Sequence, residues 1–342
     1  MQAALDGLLL QNRGKLYTRA VCLAAQGENT LYAGEANCPP DALFDLASLT
    51  KLLTTTMALI LVGEGHFSLE DPVAKLLPEG TLGPAAARWL CEVPFWRLLA
   101  HSAGAPAWYP FYCRPTGFYE SLDSLIETQP PVQGTVYSDV GYMLVGEVVC
   151  AQSGNTLPQN LARLNNALGT QFAYNPQNPL ACVETEFGNR VEMAMCAERH
   201  LAYHGWRHWD VQIQGQANDG NCFYFWNGTA GHAGAFGTTQ DLLALARLYL
   251  QEGATHSGKQ LLPAALTAAS LQDKGGARGL GWNLEGTFPH GAGHTGFTGT
   301  ALWLCAQKRT AAALLATRLP LPGPPDLQAF RRQVFTTIYE GL

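Results

Sequence analysis

The sequence is poor in charge, and this excludes several classes of function. Only 14% of its 342 residues are Asp, Glu, Lys or Arg, and the net charge is −6. A protein that binds nucleic acid or an anionic membrane surface carries a positive field, which this composition lacks. Hydrophobic residues make up 47% of the chain, which is ample for a large core. We therefore expect a globular protein whose partner is a small molecule or a short peptide.

Paired cysteines, a secretory signal and a membrane-spanning run are also missing. The nine cysteines are scattered and include no Cys-x-x-Cys pair, which predicts free thiols in a reducing compartment. Met1–Asp6 lacks the basic start and apolar core of a signal peptide, and Leu52–Gly63 is too short to span a bilayer. We expect a cytoplasmic protein, or a periplasmic one if a leader has been removed. The sequence leaves the oligomeric state open.

A serine and a lysine lie three positions apart at the start of a long apolar stretch. The stretch Thr50–Leu61 is almost uncharged and predicts a buried helix. Residues three apart share a helix face, so the amine of Lys51 can reach the hydroxyl of Ser48. A desolvated lysine loses its proton readily and can activate a serine, while the helix N-terminus offers N–H groups to an oxyanion. Taken alone, the pair equally fits a serine cap beside a surface lysine.

Two further short motifs carry residue types suited to the same chemistry. Tyr137 and Asp139 open a second apolar stretch, Val140–Cys150, which predicts another buried helix. A tyrosine there can relay protons, with its pKa lowered by a nearby ammonium, or it can simply pack while Asp139 caps the helix. The glycine-rich stretch His294–Thr300 predicts an open strand edge that a substrate backbone could approach. A turn between two strands explains that stretch as well.

Strand patterns lie near both ends of the chain, and the middle is mainly helical. We predict an α+β fold in which an antiparallel sheet flanked by helices carries an inserted, mainly α-helical region. The sheet domain would be discontinuous, formed by residues 1–75 and 231–342, with residues 76–230 inserted. The predicted helices are 2–13, 239–252 and 327–339, and the predicted strands are 17–25, 30–33, 279–284, 301–306 and 310–317.

The three motifs in order, Ser48-x-x-Lys51, Tyr137-x-Asp139 and His294-Thr295-Gly296, resemble those of the penicillin-recognising serine hydrolases. The resemblance is greatest to class C β-lactamases and their DD-peptidase and esterase relatives. Three connecting segments also resemble segments of that family, so that the resemblance extends over nearly the whole chain. These segments are Gly65–Pro78, Leu98–Gly104 and Gly231–Phe236.

The resemblance implies a β-lactamase/transpeptidase-like fold and an acyl-enzyme mechanism that needs no metal or cofactor. Ser48 would be the acylated nucleophile, Lys51 its proton acceptor and Tyr137 the proton shuttle. The backbone N–H groups of Ser48 and Phe297 would form the oxyanion hole. The residues implied to line the substrate are Asp139, His294, Thr295 and Gly296.

Two positions depart from the family pattern and bear on the substrate. The family usually has Asn where this chain has Asp139, and an ionised carboxylate accepts hydrogen bonds but cannot donate them. Such a carboxylate beside Lys51 also favours the ammonium. Where the family often has Lys, this chain has His294, which is mostly neutral at pH 7 and holds a carboxylate less firmly. We therefore expect weak recognition of penicillin-like acids, with a small ester favoured over a β-lactam or a D-amino-acid peptide amide.

Two alternatives remain on the sequence alone. His200, His204 and His208 are spaced four apart, as zinc ligands on one helix would be, although no carboxylate completes a metalloprotease motif. The chain could also be a binding or sensor protein that has kept the fold and lost the chemistry, since fold does not decide function.

Overall fold

The computed structural model describes all 342 residues and contains eight strands in two antiparallel sheets. The strands are β1 Arg19–Gln26, β2 Asn29–Ala36, β3 Phe44–Asp45, β4 Ala173–Tyr174, β5 Ala235–Gly237, β6 Ala292–Thr295, β7 Ala301–Cys305 and β8 Thr310–Thr317. The larger sheet has the order β2-β1-β8-β7-β6, and the smaller one the order β3-β5-β4. The hairpin and the last two strands predicted from the sequence are confirmed.

Twelve α-helices surround these sheets, and none is both long and apolar enough to cross a membrane. They are α1 Gln2–Asn12, α2 Thr50–Gly63, α3 Val73–Leu76, α4 Pro84–Leu90, α5 Trp96–Leu99, α6 Phe118–Thr128, α7 Asp139–Ser153, α8 Leu157–Leu168, α9 Arg190–Glu198, α10 Thr239–Leu250, α11 Ala264–Ser270 and α12 Gln328–Glu340. Six of them, α4 to α9, lie between residues 76 and 230, where the sequence predicted a mainly helical region. The α+β fold class is confirmed.

The central strands are covered on both faces because successive side chains of a strand point in opposite directions. In β1, Val21 and Leu23 join the large core that contains α2, α7 and α10. Cys22 and Ala24, which alternate with them, join a second core formed with α1 and α12. This alternation fixes the register of β1 and β8, since a shift of one residue would exchange the two sets.

Strand β3 of the smaller sheet leads directly to the start of α2. Strand β3 pairs with β5, and the N–H of Leu46, one residue beyond β3, donates to the carbonyl of Ala235 at 2.9 Å. Strand β4 comes from the middle of the chain and pairs with the other side of β5. Segments that are distant in sequence therefore meet where the serine motif begins.

One predicted strand is wrong, and the predicted domain division stays a prediction. Residues 279–284 form no strand, although Asn283 makes isolated bridges to Arg278 and Gly293. Gly281 adopts a φ of +82°, which interrupts an extended run. The stretch is instead a compact loop behind the site, with the Gly281 N–H donating to the carbonyl of Leu99 at 3.0 Å.

Candidate active site

Ser48 lies in a single 3₁₀ turn, Ala47–Leu49, directly before α2. The carboxylate of Asp45 holds this turn by accepting from the N–H of Ala47 at 2.8 Å and from the N–H of Asn218 at 2.7 Å. Ala47 has a φ of +46°, a conformation that costs free energy in a residue with a Cβ atom. The surrounding contacts therefore hold the nucleophile motif in a sharp turn rather than inside a regular helix.

Lys51 is completely buried beneath Ser48, and its ammonium group contacts three oxygen atoms. Its Nζ lies 2.9 Å from Ser48 Oγ, 2.9 Å from the carbonyl oxygen of His232 and 2.7 Å from Oδ1 of Asp139. The contacts with Ser48 and His232 are hydrogen bonds, whereas the contact with Asp139 is an ion pair without hydrogen-bond geometry. The ring of Tyr137 lies beside the same nitrogen, at 5.1 Å from its centroid. The structure thus brings Ser48, Lys51, Tyr137 and Asp139 together.

The charges of this group differ from the simplest expectation for a buried lysine. Burial disfavours the ammonium of Lys51, but Asp139 and Tyr137 outweigh burial and raise its pKa. Burial and Asp139 likewise raise the pKa of Tyr137, more than Lys51 and Ser48 lower it. The expected lowering of the pKa of a desolvated lysine and of a tyrosine beside it is therefore wrong, whereas the expectation that a carboxylate at position 139 favours the ammonium agrees with the raised pKa of Lys51. In the free protein Lys51 is an ammonium and Tyr137 a neutral phenol.

Asp139 is available to Lys51 because a neighbouring residue caps the helix. Ser138 is the N-cap of α7, and its Oγ accepts from the N–H of Gly141 at 2.9 Å. Asp139 is the first residue inside the helix, so its carboxylate is not used as the cap. The alternative in which Asp139 serves only as a helix cap does not describe this site.

His101 supports Tyr137 and was not identified from the sequence as a site residue. Its ring lies 4.6 Å from the ring of Tyr137, and its Nδ1 accepts from the N–H of Ser138 at 3.0 Å. Burial lowers the pKa of His101 well below its ordinary value, so the ring is neutral. The segment Leu98–Gly104, singled out in the sequence only as a point of resemblance, contains this histidine.

The third motif forms one wall of the cleft at the end of β6. His294 is buried, its Nδ1 lies 2.9 Å from the carbonyl oxygen of Thr295, and burial with the nearby Lys51 lowers its pKa to about 3. It is therefore neutral at pH 7. A Cβ atom on Gly296 would lie 2.1 Å from Thr300 Oγ1 and 2.7 Å from the carbonyl oxygen of Leu46, so only glycine fits there.

Two backbone N–H groups face the nucleophile without partners. Neither the N–H of Ser48 nor that of Phe297 donates a hydrogen bond within the protein. Unpaired donors beside a nucleophile are suited to a developing oxyanion. The Phe297 side chain is 41% exposed at the mouth of the cleft.

Close packing between glycines also positions the loop whose His232 carbonyl accepts a hydrogen bond from Lys51. A Cβ atom on Gly231 would lie 2.3 Å from the carbonyl oxygen of Tyr142 in α7, and one on Gly146 would lie 3.0 Å from the Gly231 backbone. Helix α7 and this loop therefore touch through backbone atoms. The carbonyl of His232, one residue further on, reaches Lys51 because of this close approach.

The cleft in front of Ser48 has a volume of about 540 Å³ and contains three arginines that sequence reasoning missed. Arg331 is 6% exposed and donates to the carbonyl of Gly296 at 2.8 Å, while its Nε has no partner. Arg278 lies 5.5 Å from the ring centroid of Tyr137 and has neither an ion pair nor a side-chain hydrogen bond. Arg318 donates to the carbonyl of Phe297 at 2.8 Å. Of the three arginines, only Arg278 had a signal in the sequence, as a charged residue within the glycine-rich stretch 275–281.

A smaller cavity of about 150 Å³ also borders Ser48 and has Glu192 in its wall. The hydroxyl of Tyr112 and the N–H of Gly220 donate to the two Glu192 oxygens at 2.8 and 2.7 Å. Burial raises the pKa of Glu192 to about 8. This carboxyl group is therefore neutral over much of the range in which proteins work.

Glu192→Gln should make the free energy of unfolding less dependent on pH. The ordinary pKa of glutamate is 4.5, so between pH 4.5 and about 8 the unfolded chain has released a proton that the folded protein retains. The folded state binds more protons there, and stability falls as the pH rises through this window. Glutamine removes this loss, and denaturant unfolding at pH 6 and pH 9 measures it. An equal difference between the two pH values in both proteins would contradict the assignment of a neutral Glu192.

The histidines considered as zinc ligands do not share a helix. Helix α9 ends at Glu198, and His200, His204 and His208 follow in irregular chain. No group of three or more His, Cys, Asp and Glu side chains lies close enough together to hold a metal ion. The four-residue spacing of these histidines therefore produces no cluster.

The chain is similar in sequence to a family of known proteins along most of its length. A profile of the β-lactamase family matches residues 9–335. A protein of Escherichia coli strain K12 with the provisional name D-alanyl-D-alanine carboxypeptidase is 31% identical over 75% of this chain and 65% of its own. An N-acetylmuramyl-L-alanine amidase of Bacillus subtilis is 29% identical over 89% of this chain and 76% of its own.

Solved structures with the same fold cover almost the entire chain. A β-lactamase/D-alanine carboxypeptidase from Pseudomonas syringae has a TM-score of 0.71 at 18% identity, covering 98% of this chain and 99% of its own. EstCE1, described as a hydrolase with promiscuous acyltransferase activity, has a TM-score of 0.67 at 16% identity over 97% of both chains. Because the family profile spans nearly all residues and the fold agrees, the chain belongs to the β-lactamase family and is a serine hydrolase.

Proposed function

We propose that this protein hydrolyses a small amide or ester through an acyl-enzyme on Ser48, and that the leaving group carries a carboxylate. The observation that carries the proposal is the 2.9 Å contact between Ser48 Oγ and Lys51 Nζ inside a buried group that also contains Tyr137. A nucleophile in contact with a base that a third group orients is the arrangement that acyl transfer needs.

Each member of the group has one task in this mechanism. In the reactive form Lys51 is a neutral amine, and it takes the proton of Ser48 as Oγ attacks the substrate carbonyl. Tyr137, which interacts with both Ser48 and Lys51, passes a proton to the leaving group and is reprotonated by Lys51. The free N–H groups of Ser48 and Phe297 stabilise the oxyanion. Water then enters, and the same groups return the protons in the reverse order.

The three arginines change what we expect of the leaving group. From the sequence, weak binding of acids followed from a neutral residue at position 294, and His294 is indeed neutral. Yet Arg278 and Arg331 line the same cleft, and the guanidinium of Arg278 has neither an ion pair nor a side-chain hydrogen bond. Unpaired guanidinium groups favour a carboxylate, which they bind in a fixed geometry. We therefore favour an acidic leaving group over the uncharged ester, in agreement with the carboxypeptidase names of the relatives.

A matched pair of esters tests this preference directly. Phenyl acetate and 3-acetoxybenzoate have the same acyl group and differ by one carboxylate on the leaving group. We expect kcat/KM to be higher for 3-acetoxybenzoate, and a penicillin to form a mass adduct on Ser48. Equal or faster turnover of phenyl acetate would restore the uncharged ester as the favoured substrate.

Arg278→Ala should lower kcat/KM for 3-acetoxybenzoate by about 5- to 30-fold and change that for phenyl acetate little. A partly exposed, charge-assisted contact contributes roughly 1–2 kcal/mol, which corresponds to this range. Steady-state kinetics on both esters measures the effect. Arg88→Ala is the matched control, because Arg88 is an exposed arginine on α4. Equal losses on both esters would mean that Arg278 positions Tyr137 rather than the substrate.

A binding or sensor protein is the second candidate, and the ion pair between Lys51 and Asp139 is the observation in its favour. A lysine held as an ammonium is a poor base. If this candidate is right, the cleft should bind a carboxylate ligand in calorimetry while Ser48 forms no adduct with a fluorophosphonate.

We also propose that the protein works in the cytoplasm. All nine cysteines are free thiols, including five that are buried. Free thiols fit a reducing compartment. Fractionation of cells that express the natural gene, with the Ser48 adduct as the marker, would test this location.

A further inference from the structure

The cavity of about 150 Å³ beside Ser48 shares Ser48, Tyr137 and Phe297 with the arginine-lined cleft and has otherwise a different lining. Trp108, Met195 and Phe297 form its apolar walls, and Asp139 lies at its junction with the nucleophile. If the leaving group occupies the arginine side, the acyl part of the substrate enters this cavity. Its size admits only a small acyl group.

Asp139 presents one free carboxylate oxygen to this cavity. Its Oδ1 is buried and contacts Lys51 at 2.7 Å. Its Oδ2 makes no hydrogen bond within the protein and remains accessible, and the side chain is 19% exposed. An ionised carboxylate oxygen can only accept, so the group that completes this site must be a donor.

The other two acidic groups of the cavity, Glu192 and Asp219, already accept hydrogen bonds from within the protein. Both oxygens of Glu192 accept hydrogen bonds from within the protein, and this group is neutral at pH 7. Burial opposes ionisation of Asp219, but the imidazole of His232 at 2.9 Å outweighs it and lowers the Asp219 pKa. The cavity is therefore bordered by the carboxylates of Asp139 and Asp219, each with one oxygen that makes no hydrogen bond within the protein, and Asp139 is the one that contacts Lys51 at 2.7 Å.

We propose that Asp139 recognises a free α-ammonium group on the acyl part of the substrate, so that the enzyme acts on N-terminal aminoacyl amides or esters. An acylated amine would instead bring a carbonyl oxygen toward Oδ2, and two acceptors repel each other. An ammonium brings donors and the opposite charge. It also shares the carboxylate with Lys51, which weakens the ion pair that keeps Lys51 protonated. This inference rests on the proposed acyl-enzyme function of Ser48.

Protection of Ser48 from a fluorophosphonate tests the inference without requiring turnover. Three small amides of similar size compete with the probe: alaninamide, lactamide, in which a hydroxyl replaces the amine, and N-acetylalaninamide, each as both enantiomers. Near pH 7 the amine of alaninamide is mostly protonated. We expect one enantiomer of alaninamide to protect at a concentration at least 10-fold lower than the other two amides. Equal protection by lactamide or N-acetylalaninamide would overturn the inference.

The same protection experiment on the variant Asp139→Asn gives a second test of the inference. Asparagine keeps the shape but offers an amide donor and no charge, so the preference for alaninamide should disappear and that for N-acetylalaninamide should rise. Asp41→Asn, at an exposed aspartate, should retain the wild-type order. An unchanged preference in Asp139→Asn overturns the inference. Absence of any Ser48 adduct in the wild type would instead overturn the acyl-enzyme function itself. The wild-type comparison stands even if the Asp139 variant does not fold.

Discussion

Ser48→Ala should abolish the mass adduct with a fluorophosphonate and lower kcat on any substrate by on the order of 10⁴- to 10⁶-fold. Ser48 Oγ is the hydroxyl in contact with Lys51 Nζ at the mouth of both cavities, so no other side chain can take its place. Intact-mass measurement of the wild type and the variant after the same exposure gives the answer.

The fold of the Ser48 variant should be unaffected, which makes the result easy to interpret. Ser48 is only partly buried, and alanine fits the 3₁₀ turn that contains it. Ser102→Ala, which removes a buried hydroxyl without a partner, serves as a control for serine loss elsewhere. An adduct that survives Ser48→Ala would place the nucleophile at another residue and remove the basis of the mechanism.

Lys51→Met should lower both the activity and the stability of the protein, for separate reasons. Loss of the base should lower kcat by about 10²- to 10⁴-fold or more. Removing the ammonium also leaves Asp139 as a nearly buried carboxylate without its partner, which destabilises a protein by roughly 3–5 kcal/mol. Thermal unfolding and steady-state kinetics of the same variant measure the two losses.

The double variant Lys51→Met with Asp139→Asn distinguishes these two losses. Asparagine removes the unpaired charge, so most of the lost stability should return while activity stays low. The coupling between the two positions is the quantity that a double-mutant cycle reports. If the double variant is as unstable as Lys51→Met alone, the ion pair is not what makes Lys51 important to the fold.

Much of the fold could be predicted because its elements carry strong local patterns. The hairpin β1–β2, the strands β7 and β8 and the capping box at Thr238 that starts α10 all follow from periodicity and from residues next to the element. The strand predicted at 279–284 is wrong because apolar residues alternate with glycine there, and this alternation resembles the pattern of a strand. Only tertiary contacts decide that Gly281 takes a left-handed conformation and turns the stretch into a loop.

The motifs predicted residues that the structure brings together, but only some of their charges. The three motifs named Ser48, Lys51 and Tyr137, and the structure places them together. The sequence indicated that a carboxylate at position 139 favours the Lys51 ammonium, but only the structure shows that burial raises the pKa of Tyr137 despite the nearby ammonium. Arg278 and Arg331 were missed for a related reason, since each reaches the cleft from an element that the motifs do not contain.

The strand order of the large sheet also has a consequence for how the protein is made. Strand β1, formed early in the sequence, lies between β2 and β8, and β8 ends only at Thr317. The chain must therefore be synthesised as far as Thr317 before the β1–β2 hairpin can pair with β8. Such late, long-range pairing makes folding slow. Translation that stops before β8 should thus yield an aggregation-prone fragment rather than a weaker catalyst.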